Sequence, residues 1–65
     1  MIIDSRKFDI ACANSCLAAY KVLSLAKVST CILPRIRQGK ALRASTVGRI
    51  AKALGVDVAD LLKAN

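Results

Sequence analysis

The sequence has no histidine and no tryptophan, and its aromatic side chains are one tyrosine and one phenylalanine. It also has no pair of neighbouring carboxylates and no cysteine beside a basic group. General acid–base catalysis and nucleophilic catalysis depend on such groups. The sequence therefore predicts a protein that is not an enzyme.

The three cysteines, Cys12, Cys16 and Cys31, lack the CxxC spacing of zinc sites, and no histidine is present to complete four ligands. We expect no metal and no cofactor, and we interpret all three as small buried apolar residues. Charged residues near the start interrupt any secretory signal, which favours a reducing cytoplasm. No apolar run reaches the roughly 18 residues of a membrane helix, since Lys21 and Lys27 interrupt the best candidate.

Acidic residues are missing from the middle of the chain. The formal net charge is +7, and between Asp9 and Asp57 the chain carries eight basic residues and no acid. The densest part of this basic stretch holds Arg35, Arg37, Lys40 and Arg43. A run of like charge is usually a solvated face, but one this extensive favours a polyanionic partner, either nucleic acid or an acidic membrane surface.

Length and composition bound the architecture. A chain of 65 residues is expected to form one domain, spanning 1–65. Apolar residues make up 55% of it and aromatic residues 3%, so its core must be built from Leu, Ile, Val and Ala. The sequence therefore predicts an all-α fold of packed short helices.

The most clearly bounded helix is predicted over about 46–54, with Ser45 as its N-cap and Gly55 as its terminating residue. Its apolar residues recur at helical spacing and are Val47, Ile50, Ala51 and Leu54. After it, Asp57 is expected to cap a short last helix over about 58–63.

Two helices are predicted in the N-terminal half of the chain. Asp4 is positioned to cap the first, which ends near Asn14. The apolar residues of this first helix are Phe8, Ala11 and Cys12. The second helix is expected to bury Val22, Leu25 and Ala26 together.

A third helix is predicted to start at Thr30, with Ser29 as its N-cap and Gly39 as its end. A short break separates it from the second helix, and a basic loop over 40–44 follows it. Two helices joined by a turn of three to four residues form the arrangement that places one helix in the major groove of DNA.

The strings AKVSTCILPRIRQG, up to Gly39, and GRIAKALGVDVADLL, from Gly48, resemble the Cro and repressor helix-turn-helix family, also called the XRE family. The resemblance covers about Phe8 to Leu62. It implies a compact five-helix, lambda-repressor-like domain whose second and third helices form the helix-turn-helix. It also implies a transcriptional regulator, a repressor, that binds double-stranded DNA as a homodimer on two half-sites. Such a protein is encoded by a bacterium or a phage and is cytoplasmic and nucleoid-associated.

The resemblance implies a recognition helix over about 30–38, and its base-contacting positions are Thr30, Cys31, Ile32 and Arg35. The spacing agrees, because Leu33 and Ile36 share one face and leave Thr30, Cys31 and Arg35 to point elsewhere. Arginine is the commonest reader of guanine, since its planar fork meets O6 and N7 together. Ile32 is the weakest of the four, because a lone isoleucine in a small domain is more often part of the core.

Phosphate contacts are expected from the loop after the third helix and the first turn of the fourth. On this chain the corresponding residues are Lys40, Arg43, Ser45 and Thr46. A helix N-terminus offers unpaired N–H groups and the positive end of a dipole, to which nearby cations add. Arg37 either joins these contacts or lies against the domain: the resemblance implies that this position often pairs internally, but no acid is evident as a partner, so Arg37 is kept as a candidate phosphate contact.

Three features depart from the family pattern. Lys27 occupies the turn position that is usually glycine, so either it adopts a backbone conformation that is costly for a residue with a Cβ or the turn differs slightly from the family pattern. Ala18 and Ala19 replace a glutamine that often binds phosphate. Pro34 falls inside the recognition helix, where it removes a backbone donor, so we expect the first turn to loosen or tighten and the regular helix to restart near Pro34.

The alternative function is a degenerate helix-turn-helix that acts as a protein-protein interaction module without specific DNA reading, and Pro34 is the feature that favours it. A basic amphipathic membrane binder is a weaker alternative, because the cations lie in a loop and a helix end and no aromatic anchor accompanies them. No small-molecule ligand is evident from the sequence.

Overall fold

The computed structural model describes residues 1–63, which form four α-helices and two turns of 3-10 helix. The α-helices are α1 (Ser5–Asn14), α2 (Ala19–Leu25), α3 (Leu33–Arg37) and α4 (Ala44–Leu54), and the 3-10 turns are Thr30–Ile32 and Val58–Asp60. Over this range the chain has no β-strand beyond isolated bridges, so the all-α prediction is confirmed. None of these helices combines the length and the apolar character needed to cross a bilayer.

Helix α1 begins where the sequence predicts. The Asp4 carboxylate accepts hydrogen bonds from the backbone N–H groups of Arg6, at 2.9 Å, and Lys7, at 3.4 Å. These bonds satisfy donors that the first turn of a helix otherwise leaves without partners. The buried residues of α1 are the predicted ones, Phe8, Ala11 and Cys12.

Helix α2 is rotated relative to the prediction. Val22 and Leu23 are fully buried and Ala26 nearly so, whereas Leu25, which was expected in the core, is 52% exposed. Successive side chains of a helix are separated by about 100°, so a buried stripe centred between Val22 and Leu23 turns Leu25 outward. The inclusion of Leu23 in the core thus explains why the prediction for Leu25 is wrong.

Helix α4 supplies the largest buried face, and α2 packs against it. Its buried side chains are the four predicted ones, Val47, Ile50, Ala51 and Leu54. Gly55 ends the helix with a φ of 72°, in the left-handed region that glycine adopts without a steric cost. The start differs from the prediction, because the helix begins at Ala44 with Arg43 as N-cap, and Ser45 lies within the first turn.

An extended segment at residues 1–4, which the sequence analysis did not predict, joins the basic loop to the C-terminal residues. The backbone N–H of Leu42 donates to the carbonyl of Met1 at 2.6 Å, and that of Lys63 donates to the carbonyl of Ile2 at 3.0 Å. Ile3, the next residue of the segment, is 1% exposed. The segment therefore belongs to the folded core.

The same pairing shortens the last helical element. A helix was predicted over 58–63, whereas the structure has a 3-10 turn at Val58–Asp60, and Asp57 makes no side-chain capping bond. Leu61 accepts a backbone hydrogen bond from Asp4 at 2.8 Å, and Leu62 forms an antiparallel bridge with Ile3. Residues paired with an extended segment cannot also continue a helix.

The cysteines differ from one another in exposure. Cys12 is buried, and burial raises the pKa of its thiol; the charge of Asp9 adds to this rise in pKa and that of Arg37 opposes it. Cys16 and Cys31 are exposed, so the prediction of burial is wrong for these two. Cys16 has a φ of 56° in the turn after α1, and Cys31 lies in the first 3-10 turn.

Candidate nucleic-acid interface

The turn between α2 and the first 3-10 turn is closed by Lys27. This residue has a φ of 59°, in the left-handed region, as its position in the turn predicts. Its N–H donates to the carbonyl of Ser24 at 3.0 Å, and the N–H of Val28 donates to the carbonyl of Leu23 at 3.1 Å. These bonds satisfy carbonyls at the end of α2 and direct the chain into the next element.

The Thr30–Arg37 segment, which comprises the first 3-10 turn and α3, begins at a serine cap. The hydroxyl oxygen of Ser29 accepts a hydrogen bond from the N–H of Cys31 at 3.2 Å. The cap fixes where the segment starts, as the sequence predicts.

Pro34 divides this segment as expected. Thr30–Ile32 forms a tight 3-10 turn, and the α-helix starts again at Leu33, which places Pro34 in its first turn. A residue in the first turn needs no partner for its N–H, and the fixed φ of proline suits this position. The restart near Pro34 is confirmed, so proline does not prevent this segment from being ordered.

One side chain anchors the segment and three face outward. Ile36 is 1% exposed and packs in the core, whereas Thr30, Cys31 and Arg35 are all exposed. Ile32 is half-buried against the core, which agrees with the core role that its type favours. Leu33, its neighbour in the chain, is likewise half-buried, so the predicted inner face is present.

The basic loop folds back onto the end of α3. The N–H of Lys40 donates to the carbonyl of Arg35 at 3.0 Å, so the first cation of the loop adjoins the segment that presents Arg35. The side chains of Lys40 and Arg43 are both exposed. Neither forms an ion pair within residues 1–63.

The first turn of α4 has no side-chain cap. Arg43 is the N-cap residue and accepts a backbone bond from Val47 at 3.1 Å, but no side chain accepts from the N–H groups of the first turn. Ser45 is exposed and Thr46 half-buried in this turn. A helix start with free N–H groups beside an arginine is suited to an anionic oxygen.

Arg37 has an internal partner. Its Nη1 donates to both carboxylate oxygens of Asp9, at 2.6 and 2.7 Å. The expectation that no acid is placed to pair with Arg37 is therefore wrong. Asp9 lies on α1, and its pairing with Arg37 could not be read from a sequence in which the two stand 28 positions apart.

The ion pair ties α3 to α1, with side chains that remain 43% and 54% exposed. An exposed pair of this kind contributes little to stability, about 0–1 kcal/mol. Its two short contacts, both from Nη1, instead place the Arg37 side chain against α1. Arg37 thus holds the segment against the domain, while Arg35 on the same helix projects outward.

No protein-family model matches this chain, and neither a curated protein nor a solved structure matches it. Charge, exposure and backbone geometry are therefore the observations from which a function can be inferred.

Proposed function

We propose that this protein binds double-stranded DNA through a helix-turn-helix made of α2, the turn at Lys27 and the Thr30–Arg37 segment, in the manner of Cro and repressor proteins of the XRE family. One observation carries the proposal. Exposed Thr30, Cys31 and Arg35 lie on a segment that Ile36 anchors, and the basic loop and the uncapped start of α4 follow it directly.

In this proposal the Thr30–Arg37 segment enters the major groove. Arg35 reads guanine, because its guanidinium can donate two hydrogen bonds to O6 and N7 and no carboxylate within residues 1–63 pairs with it. Thr30 and Cys31 contact neighbouring base edges from the 3-10 turn. Ile32 contributes little, since it packs half-buried against the core.

The basic loop and the first turn of α4 bind the DNA phosphates. Lys40 and Arg43 supply charge, and the uncapped N–H groups at the start of α4, with the hydroxyls of Ser45 and Thr46, supply directional donors. Arg37 acts indirectly, through its pairing with Asp9, by holding α3 at a fixed angle to α1.

We further propose that the protein is a transcriptional regulator, a repressor, and that it acts as a homodimer on two half-sites. The physical reason is that one short segment buries too little surface to select a site by itself, and a two-fold dimer doubles the contact. In this role the protein is cytoplasmic and nucleoid-associated, and it needs neither a cofactor nor a metal.

A second candidate function, a protein-protein interaction module, is favoured by large side chains left on the surface. Tyr20 is 65% exposed and Leu25 is 52% exposed, both on α2. Pro34 no longer favours this candidate, because it fits the first turn of α3.

The test is selection of bound sequences from a random duplex pool, followed by titration of the preferred duplex at several salt concentrations. We expect one enriched motif and an affinity that falls steeply with salt, and Lys40→Ala and Arg43→Ala should each lower the salt slope by about one. Lys52→Ala is the matched control, since it removes an exposed cation in the last turn of α4, away from the loop and the helix start. A pool that enriches no motif, with an affinity independent of salt, would contradict the proposal.

A further inference from the structure

A second surface of the molecule combines apolar and basic side chains. The end of α2 and the C-terminal half of α4 enclose a shallow groove of about 450 Å³. Its apolar lining consists of Leu25, Ala26 and Ala53, and its basic lining consists of Lys27, Arg49 and Lys52. The 52% exposure of Leu25 means that the groove presents apolar surface to solvent.

The basic residues of the groove are arranged by the fold. Arg49, Lys52 and Ala53 are spaced three and four residues apart on α4, so they share one face of the helix. The three cations of the groove, Lys27, Arg49 and Lys52, are exposed, and none of them forms an ion pair within the range that the structure describes. No acid among residues 1–63 lines the groove. The groove therefore carries a positive charge that the described part of the chain does not neutralise.

The conformation of Lys27 adds a second observation. Its φ of 59° lies in the region where glycine fits without a steric cost and a residue with a Cβ does not. The sequence nevertheless has an exposed lysine here, and it is one of the residues that line the groove. A strained position occupied by a charged residue points to a use for the charge.

We propose that this groove binds an acidic amphipathic helix of a partner protein. The apolar face of such a helix would cover Leu25 and Ala53, and carboxylates on either side would pair with Lys27, Arg49 and Lys52. A duplex backbone fits less well, because phosphates offer no apolar group to cover Leu25. The groove is also displaced from the start of α4, since Ser45 and Lys52 are about 10 Å apart along the helix axis at a rise of 1.5 Å per residue. The proposal does not depend on DNA binding.

The probe is a fluorescein-labelled synthetic helix of about four turns, with leucines at helical spacing on one face and glutamates flanking them. Binding is followed by fluorescence anisotropy, and the contacted residues are located by amide chemical-shift changes in the ¹⁵N-labelled protein. Two matched peptides, one with glutamine for glutamate and one with serine for leucine, separate the charge from the apolar contact. We expect shifts centred on residues 25–27 and 49–53 and weaker binding by both matched peptides.

Lys27→Gly is the decisive variant, because it removes the charge while relieving the backbone. We expect it to leave the melting temperature unchanged or higher and to weaken peptide binding about twofold to fivefold, with a larger loss for Arg49→Gln combined with Lys52→Gln. Leu25→Ser should also weaken binding, since Leu25 is exposed and its loss leaves the core intact. Lys21→Gln, on the exposed part of α2 outside the groove, is the control and should bind as the parent does.

Three outcomes would overturn the proposal. The first is no peptide binding, or chemical-shift changes away from the groove. The second is a Lys27→Gly variant that melts at a lower temperature and binds the peptide unchanged, which would assign Lys27 to stabilising the end of α2. The third is a loss of duplex affinity in the groove variants as large as in Lys40→Ala, without peptide binding, which would make the groove part of a nucleic-acid surface.

Discussion

Helix α4 and the Thr30–Arg37 segment differ in how they use their side chains. In α4 four residues are buried along one continuous face, and a left-handed glycine ends the helix. In the Thr30–Arg37 segment Ile36 is the one fully buried residue, and the backbone changes from a 3-10 turn to an α-helix. The comparison indicates that α4 stabilises the fold, whereas the segment presents side chains and depends on a few specific contacts for its orientation.

The largest effect is expected from truncating the core face of α4. Ile50 is fully buried, so Ile50→Ala removes buried apolar surface and leaves a cavity. We expect a loss of about 2–5 kcal/mol in the free energy of unfolding, a large share of the stability of so small a domain. Urea denaturation followed by circular dichroism measures it. A loss below that range would mean that α4 is not the main source of stability.

Arg35→Ala tests whether the Thr30–Arg37 segment presents side chains for binding and contributes little to stability. Because Arg35 is exposed and outside the core, its removal should leave the urea midpoint nearly unchanged. On the preferred duplex it should cost about 1–3 kcal/mol and relax the preference at one base pair. Anisotropy with a specific and a scrambled duplex measures both effects. Equal losses on the two duplexes would show that Arg35 contacts phosphate and does not read bases.

Elements with local signals could be predicted from the sequence. The Asp4 cap, the buried face of α4 and the stop at Gly55 all follow from neighbouring residues, whereas the left-handed Lys27 was expected from the family resemblance. The restart near Pro34 also follows from local chemistry, because proline excludes a backbone donor wherever it stands.

Features that depend on distant partners could not be predicted. Ile3 enters the core through pairing with residues about 60 positions away, and this pairing also ends the last helical turn early. In the candidate site, exposed Arg35 followed from spacing, but the Asp9–Arg37 pair depends on how the fold brings two residues 28 positions apart together. The cap was predicted two residues late, at Ser45 where the structure has Arg43, because local sequence fixes a helix start only to within one or two residues.

Pro34→Ser tests whether proline fits the first turn of α3 without destabilising the Thr30–Arg37 segment. From the sequence, a proline inside a helix is expected to destabilise it, so its replacement should raise the melting temperature. In the first turn of α3 that expectation reverses, because proline there restricts the unfolded chain without removing a needed donor. We expect Pro34→Ser to lower the stability by about 0.4–1 kcal/mol. A rise in melting temperature would contradict the position of Pro34 in α3.

Asp9→Asn tests the attachment of the segment to α1. The exposed ion pair with Arg37 should contribute about 0.2–1 kcal/mol at low salt. This contribution should vanish near 1 M salt, where the screening length falls to about 3 Å. Asp57→Asn is the matched control, because no cation within residues 1–63 pairs with Asp57. Equal stability of the two variants at low salt would show that the ion pair contributes nothing.

The smallest expected effect is a change in the pKa of the buried Cys12 thiol, which the charges of Asp9 and Arg37 both influence. Burial raises the pKa of the Cys12 thiol, the negative charge of Asp9 raises it further, and the positive charge of Arg37 lowers it. Asp9→Asn removes the second influence and leaves the third, so the thiol should ionise at lower pH than in the parent. Thiolate absorbance in a Cys16→Ser, Cys31→Ser, Tyr20→Phe background isolates this group, because the two exposed thiols and the exposed phenol, which also absorbs when ionised, are then absent. Asp57→Asn in the same background should leave the titration where it was. If Asp9→Asn also left it there, the Asp9 carboxylate would not lie close enough to Cys12 to influence the pKa of its thiol.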